Sequence, residues 1–219
     1  MPATPIICLP RIPTFGEELA NSISHGLGLV LAIVGLPFLI LNALDHGGDQ
    51  AVFAASVFGG SAILVYLAST LYHAVAHARI KALLLRLDYG AIYLFIAGTY
   101  TPIALGVVGG RWGWTLFGVI WTLAVAGVIF KLLVGDRFHR LSTLLYVAMG
   151  WTGLIAIQPL WVHMTANGLL WLLGGGLAYG IGVVFFMLQE RLRYSHFIWH
   201  LFVLGGSSCH FCAVLLHAS

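Results

Sequence analysis

Residues 196–216 read HFIWHLFVLGGSSCHFCAVLL. No Asp, Glu, Lys or Arg interrupts them. At a rise of about 1.5 Å per residue, a helix of roughly this length crosses the ~30 Å hydrocarbon core of a bilayer. The stretch therefore reads as a membrane helix, and the fold class follows from it. Yet it opens with two histidines four residues apart, His196 and His200. On a helix they project from one face, a turn apart, a spacing at which two imidazoles bind one metal ion. An ionisable side chain in a membrane segment is costly and is a functional candidate by default. The pair alone is a weak signal, and a metal site needs a third ligand at the same depth.

Working outward, the whole chain has the same character. Of its 219 residues 60% are hydrophobic and 8% charged, a balance that excludes a soluble domain. Seven apolar windows of about 20 residues lie near 20–42, 51–73, 87–108, 112–130, 141–160, 168–188 and 196–216. The breaks carry turn and charge signals: Asp45 to Asp49, Gly109-Gly110-Arg111, Gly135-Asp136-Arg137 and Gln189-Glu190-Arg191. The expected fold is an all-α integral membrane bundle of seven helices, with residues 1–15 a short cytoplasmic segment and 16–219 one domain. The only apolar patch before Pro13, Ile6 to Leu9, is too short for a signal-peptide core. Insertion through the first helix with nothing cleaved is expected. Pro37, Pro102 and Pro159 fall inside or near span ends, where neighbours can satisfy the freed carbonyls.

Direction follows from the basic residues. Arg11, then Arg79, Lys81 and Arg86, then Lys131, Arg137 and Arg140, then Arg191 and Arg193 fall on one side, and Arg111 alone on the other. The positive-inside rule puts the N-terminus in the cytoplasm and the C-terminus outside. The net charge of +3 is spread singly between apolar runs and gives no nucleic-acid surface. Cys8, Cys209 and Cys212 make no disulfide framework, and Cys209-His210-Phe211-Cys212 lies deep in an apolar run, where small apolar packing is the expected role. The Gly174-Gly175-Gly176 patch and Gly180 read as close helix packing. Trp112, Trp114, Trp151, Trp161 and Trp171 read mostly as anchors at the outer interface.

Polar side chains from distant stretches converge at one depth. The second span ends at the basic side with Ser69 and His73, one turn apart; the third begins there with Asp88; the last begins there with His196 and His200. Glu17, Asn21 and His25 follow one another at four-residue steps down the first span. His210 lies roughly 15 Å further along the last helix. Other histidines read more simply: His25, His46, His139, His163 and His217 as interfacial residues, and His77 as a solvated residue in a basic loop. Asp88 also has a simpler reading, as the N-cap of the third span.

Three neutral imidazoles, His73, His196 and His200, form a zinc ligand set that leaves one of four positions open to water, whose pKa zinc lowers towards neutrality. Asp88 is placed to orient that water or take its proton, and Ser69 to donate a hydrogen bond. Facing the inner leaflet, such a site suits hydrolysis of an ester or amide in a lipid. The same constellation equally suits a structural clamp.

At these residues the chain resembles the hemolysin III branch of the progestin and adipoQ receptor family, the seven-span proteins that include adiponectin receptors. The matching stretches are Glu17 to Gly26, Ser69-Thr70-Leu71-Tyr72-His73, Leu87-Asp88-Tyr89-Gly90 and His196-Phe197-Ile198-Trp199-His200, with His210-Phe211 as a further shared feature. The resemblance implies zinc held by His73, His196 and His200, with Asp88 acting through water and Ser69 close by. It also implies a cytoplasmic N-terminus and a membrane-lipid or fatty acyl partner reached from the inner leaflet. A wider set of membrane hydrolases that includes alkaline ceramidases shares the Ser, Asp and three-His pattern. The long N-terminal domain of receptor members and a sizeable outer loop are not in this sequence, which argues against a hormone-receptor role.

Three function classes compete. The first is a zinc-dependent membrane protein acting on or sensing lipids, in membrane-lipid homeostasis. The second is a pore-forming cytolysin, as the branch name suggests. A water-filled pore needs polar groups along its whole length, and here they stop at one leaflet, so only an oligomer would form one. The third, a transporter, would want internal repeats and midplane charge, and neither is present.

Overall fold

The computed structural model describes residues 11–135 and 138–217. Cys8, the Ile6–Leu9 patch and the Asp136-Arg137 turn signal lie outside the described residues, as does the side chain of His139.

The first helix, α1 (Phe15–His46), starts where Thr14 and Glu17 cap one another, the Thr14 side chain taking the Glu17 amide and the Glu17 carboxylate taking the Thr14 amide. It runs through Pro37 without a break. α2 (Gly48–Ala74) follows after Gly47 alone, so the polar Asp45–Asp49 stretch is absorbed into helix ends. α3 (Ala78–Pro102) continues as a wider π-helical turn, Ile103–Val108, closed by a bond from the Gly109 amide to the Ala104 carbonyl. Gly109 and Gly110, both at positive φ, turn the chain into α4 (Gly110–Val134).

The fifth apolar run is not one continuous helix. It comprises α5 (His139–Trp151), a 3-10 segment (Thr152–Ala156) and α6 (Ile157–His163). Pro159 supplies no amide hydrogen, and its ring crowds the carbonyl of Ile155 four residues back. At the break, the Tyr100 hydroxyl donates to the Gly150 carbonyl (2.6 Å) and accepts from the Gly153 amide (2.7 Å). A side chain from α3 thus satisfies backbone groups that the kink releases. α7 (Ala166–Met187), capped by Thr165, and α8 (Ser195–His217) complete the bundle.

The seven expected spans are therefore present, at Phe15–His46, Gly48–Ala74, Ala78–Val108, Gly110–Val134, Arg140–His163, Ala166–Met187 and Ser195–His217. No strand occurs among the described residues. Each helix packs on its neighbour in sequence, and α1 returns against α8 to close the ring. α3 is the most enclosed span. The outside is apolar, with Leu31, Phe38, Ile129 and Leu177 among many exposed large side chains. Only lipid is a good solvent for that surface. This is a multi-pass membrane protein.

Several expectations need correction. The third span begins ten positions before Asp88, at Ala78, because the Arg, Lys and Leu residues of 79–87 are good helix formers and extend the helix past the apolar window. Asp88 is consequently buried inside a helix and is not an N-cap. His77 is exposed, as expected, although its connection is only three residues long, Val75 to His77. Trp112, Trp114 and Trp161 are exposed near the end where Arg111 is the one basic residue of the charge count, but Trp151 stands mid-span, where the kinked run continues on to His163.

Candidate metal centre and its cavity

His73 comes from the end of α2, and His196 and His200 from the first turns of α8. Their ring centroids lie 5.0 Å (His73 to His196), 5.1 Å (His73 to His200) and 4.6 Å (His196 to His200) apart. One nitrogen from each falls within 4.8 Å of the others, so the three could hold a metal ion. The convergence expected from the sequence is observed. α1 brings it about by packing between α2 and α8.

Whether a metal suits these rings depends on which nitrogen is free. The Nδ1 of His73 donates to the Glu18 carboxylate at 2.7 Å. The Nδ1 of His196 donates to the Gln189 side-chain oxygen at 2.6 Å. The Nδ1 of His200 donates to the Ser24 hydroxyl (3.0 Å) and the Asn21 carbonyl (3.2 Å), while that hydroxyl donates to the same carbonyl (2.9 Å). Each imidazole thus has its proton fixed on Nδ1 by an oxygen acceptor, which leaves Nε2 with a lone pair to offer. Metal-ligating histidines are oriented in this way, by a carboxylate or carbonyl behind the ring. The Nε2 of His73 is buried with no hydrogen-bond partner, which is costly unless an electron-pair acceptor sits there. The donor set fits a divalent cation of borderline softness.

The sequence reading missed the residues behind the rings. Glu18 was hidden beside Glu17, on a face not followed. Ser24 lies one turn below Asn21 and next to His25. Gln189 read only as a loop signal. His25 is corrected: it is not interfacial but 4% exposed, its ring stacked on His200 with centroids 3.4 Å apart. His46 and His163 are exposed at helix ends as expected, and His217 is half-buried and hydrogen-bonded to Thr165 (2.8 Å).

Glu17 has a different task from Glu18. Its buried carboxylate takes both guanidinium nitrogens of Arg11 (2.6 and 2.7 Å) and the Tyr194 amide (2.8 Å). Tyr194 sits at φ 57°, a left-handed conformation uncommon for a side chain of that size, immediately before α8. Arg11 also reaches the carbonyls of Gln189 and Leu192, each at 3.4 Å. Glu17 thus fastens the start of α8, and with it the two histidines, to the start of α1.

Asp88 and Ser69 meet in a side-chain hydrogen bond, and both are buried. They line a cavity of about 380 Å3 together with His25, His196 and His200. From there the cavity runs between α3, α5–α6, α7 and α8 as far as Trp161 and His210. The rest of its wall is mostly apolar, Ile92, Phe95, Leu172 and Val203 included, with Thr99, Thr143 and His210 as scattered polar groups. Gly175 does act in close packing, against the His210 ring, whereas Gly176 and Gly180 have open space where a side chain would be and help to form the cavity wall. Midway along, the Ser207 hydroxyl accepts from Tyr66 (2.7 Å), bonds Tyr179 (3.1 Å) and donates to the Val203 carbonyl (2.7 Å), a network satisfied within itself. Cys209 and Cys212 are free thiols.

The haemolysin-III related family matches residues 14–211. The chain belongs to that family. Hemolysin-3 of Bacillus cereus is 49% identical over 92% of this chain and 91% of its own length. A Hemolysin-3 homolog of Bacillus subtilis is 42% identical over 93% and 95%. The human monocyte to macrophage differentiation factor is 29% identical over 92% and 84%. Membership of the haemolysin-III related family and seven spans make this a multi-pass cell-membrane protein. Heptahelical transmembrane protein 5 of Arabidopsis thaliana is 30% identical over 95% of this chain and 60% of its own length.

Proposed function

We propose that this protein binds zinc through the Nε2 atoms of His73, His196 and His200 and uses the site on a membrane lipid, in membrane-lipid homeostasis. The observation that carries this reading is the opening of the three-histidine cluster onto an apolar cavity at the depth of Ser69 and Asp88. Zinc would supply a Lewis acid and an open coordination position. The chain's own residues supply the rest. The apolar walls hold an acyl chain and exclude water. Ser69, bonded to Asp88, fixes that carboxyl's orientation beside the cluster. In the hydrolase version Asp88 takes the proton of the attacking water. It returns that proton to the amide nitrogen or ester oxygen as the bond from the carbonyl carbon breaks. In the sensor version the same lipid binds and no bond breaks. The N-terminus and the basic end face the cytoplasm, so the cluster lies beneath the inner surface.

The test has two parts. Metal content of purified protein is measured for wild type and for His200→Ala; one zinc per chain in the wild type and none in the variant is expected. Lipid amides and esters are then incubated with the zinc-loaded protein and the products weighed by mass spectrometry. Wild type without bound metal would refute the proposal. Full occupancy with every substrate intact would remove the hydrolase version and keep the sensor.

A second reading, an oligomeric cytolysin, is favoured by one observation: a relative called Hemolysin-3 is 49% identical to this chain. Against it stands the cavity, whose apolar walls would not hold a column of water. Dye release from liposomes that persists in His73→Ala would favour the cytolysin.

A further inference from the structure

The glycines of α7 fall on two faces with opposite surroundings. Gly175 and Gly182 face α8: a side-chain carbon on Gly175 would strike the His210 ring, and one on Gly182 would strike Trp199 and Phe202. Gly176 and Gly180 are exposed on another face, where nothing stands within 4 Å of the same added carbon. That face is the cavity wall. Leu169, Leu172, Gly176, Gly180 and Val183 all line the cavity, at steps of three or four residues that make one stripe of a helix. The space beside the two glycines therefore belongs to the cavity, and it is open because they carry no side chains.

The packed glycines fix the depth of the open ones. Gly182 is level with Trp199 and Phe202, which flank His200 in the chain, and Gly175 is level with Gly206 and His210. At about 1.5 Å per residue, Gly180 lies roughly 4 Å beyond His200 towards the outer end, and Gly176 roughly 10 Å beyond it. An ordinary acyl chain fills one leaflet, about half of the ~30 Å hydrocarbon core. The run from His200 to His210 is of that same length, roughly 15 Å. A chain with its polar head at the cluster thus passes Gly180 first and Gly176 second, and ends near His210 and Trp161.

We infer that Gly180 and Gly176 set the length of acyl chain that the cavity accepts. This inference rests on the reading of the cavity as a lipid site, and it adds which residues select the tail. In a membrane the free chain already lies in hydrocarbon, so entering an apolar cavity gains little from leaving water. Selection by length then comes from space, and a side chain on the stripe acts as a stop. Wild type has no stop at either glycine and takes a long chain.

Octanoic and hexadecanoic acids share a head and differ in reach. The shorter covers about half a leaflet, ~7–8 Å, which is past Gly180 but short of Gly176. Equilibrium binding of each is measured on the full chain in detergent, with metal content determined in parallel. Each variant is compared with wild type for the same acid, which cancels partitioning into the micelle. Gly176→Leu should weaken hexadecanoic acid by about tenfold or more, the cost of overpacking, and octanoic acid by less than about threefold. Gly180→Leu should weaken both by about tenfold or more. Gly118→Leu, on α4 with open space but away from the cavity lining, should change neither. Metal content should stay at the wild-type level throughout. If a leucine variant fails to fold, Gly176→Ala and Gly180→Ala should give the same order with smaller losses. Wild-type affinity for both acids in both cavity variants would overturn the inference and leave the lipid cavity standing. Equal loss of the two acids from Gly176→Leu would also overturn it, because length would then play no part. A wild type that binds neither acid removes the lipid reading and this inference with it.

Discussion

Glu18 offers the sharpest quantitative check on the proposed metal site. One of its oxygens is 2.7 Å from His73 Nδ1 and the other 3.0 Å from Lys81 Nζ. Its side chain is 19% exposed and that of Lys81 is 26% exposed. An ion pair with both ends partly open contributes only about 0–1 kcal/mol to the fold. The bond to the imidazole is a different matter. A hydrogen bond to a charged group contributes roughly 1.5–3 kcal/mol, and a carboxylate behind a metal-ligating histidine is worth about 10–100-fold in metal affinity, or ~1.4–2.8 kcal/mol. The two routes agree. Glu18→Gln keeps an oxygen that accepts from Nδ1 and loses the charge, so it should fall near the tenfold end. Glu18→Ala loses both and should approach the hundredfold end. Lys81→Met removes the ion pair together with the Lys81 bond to the Tyr72 carbonyl (3.0 Å) and its contact on the Tyr72 ring, but leaves the Glu18–His73 bond, and should leave affinity within about threefold. The assay is competition for zinc against a chromophoric chelator, with thermal unfolding of the metal-free proteins as control. If both Glu18 variants held zinc as tightly as wild type, the role assigned to Glu18 would fail. An equal loss in metal-free stability would reduce Glu18 to a fold-stabilising residue.

Three further outcomes follow from the packing of the bundle. Gly113→Ala would place a methyl group against the Ala104 carbonyl, backbone that cannot move aside, where the π-helical turn meets α4. It should lower the unfolding temperature clearly, by an amount equivalent to roughly 1–3 kcal/mol, whereas Gly118→Ala, with nothing nearby, should not. Glu17→Ala unfastens Tyr194 and Arg11 from α1, so protease cleavage in residues 188–194 should become faster while zinc binding weakens; an unaltered cleavage rate would show that α8 needs no such fastening. Orientation is checked by reporter fusions at the C-terminus: alkaline phosphatase should be active there and a cytoplasmic fluorescent reporter dark, and the reverse result would invert the charge-based topology.

Much of this protein was legible in the chain itself. Transfer of about 20 apolar residues into lipid is a local property, so the seven spans could be read one at a time, and the family resemblance rested on short motifs such as Ser69 to His73 and His196 to His200. The shared depth of His73, Asp88, His196 and His200 was also legible, because span direction alternates and depth is then a matter of counting. Span edges were less so. Asp88 looked like the start of a helix because hydropathy falls at Arg86, but a helix does not end where lipid does, and α3 begins at Ala78.

What the sequence could not reveal was lateral: which faces meet once depth is fixed. Glu18 and Glu17 are neighbours in the chain, yet one orients His73 and the other holds the start of α8, because adjacent residues on a helix point about 100° apart. His25 sits flat on His200 only because α1 lies against α8. The cavity is not written in any single stretch, since it is the space left when Tyr100 props a kinked span open and glycines on α7 supply no side chains to fill it. Hydropathy is a sum over one helix and survives in the sequence. Packing is a relation among several helices, and only the assembled bundle decides it.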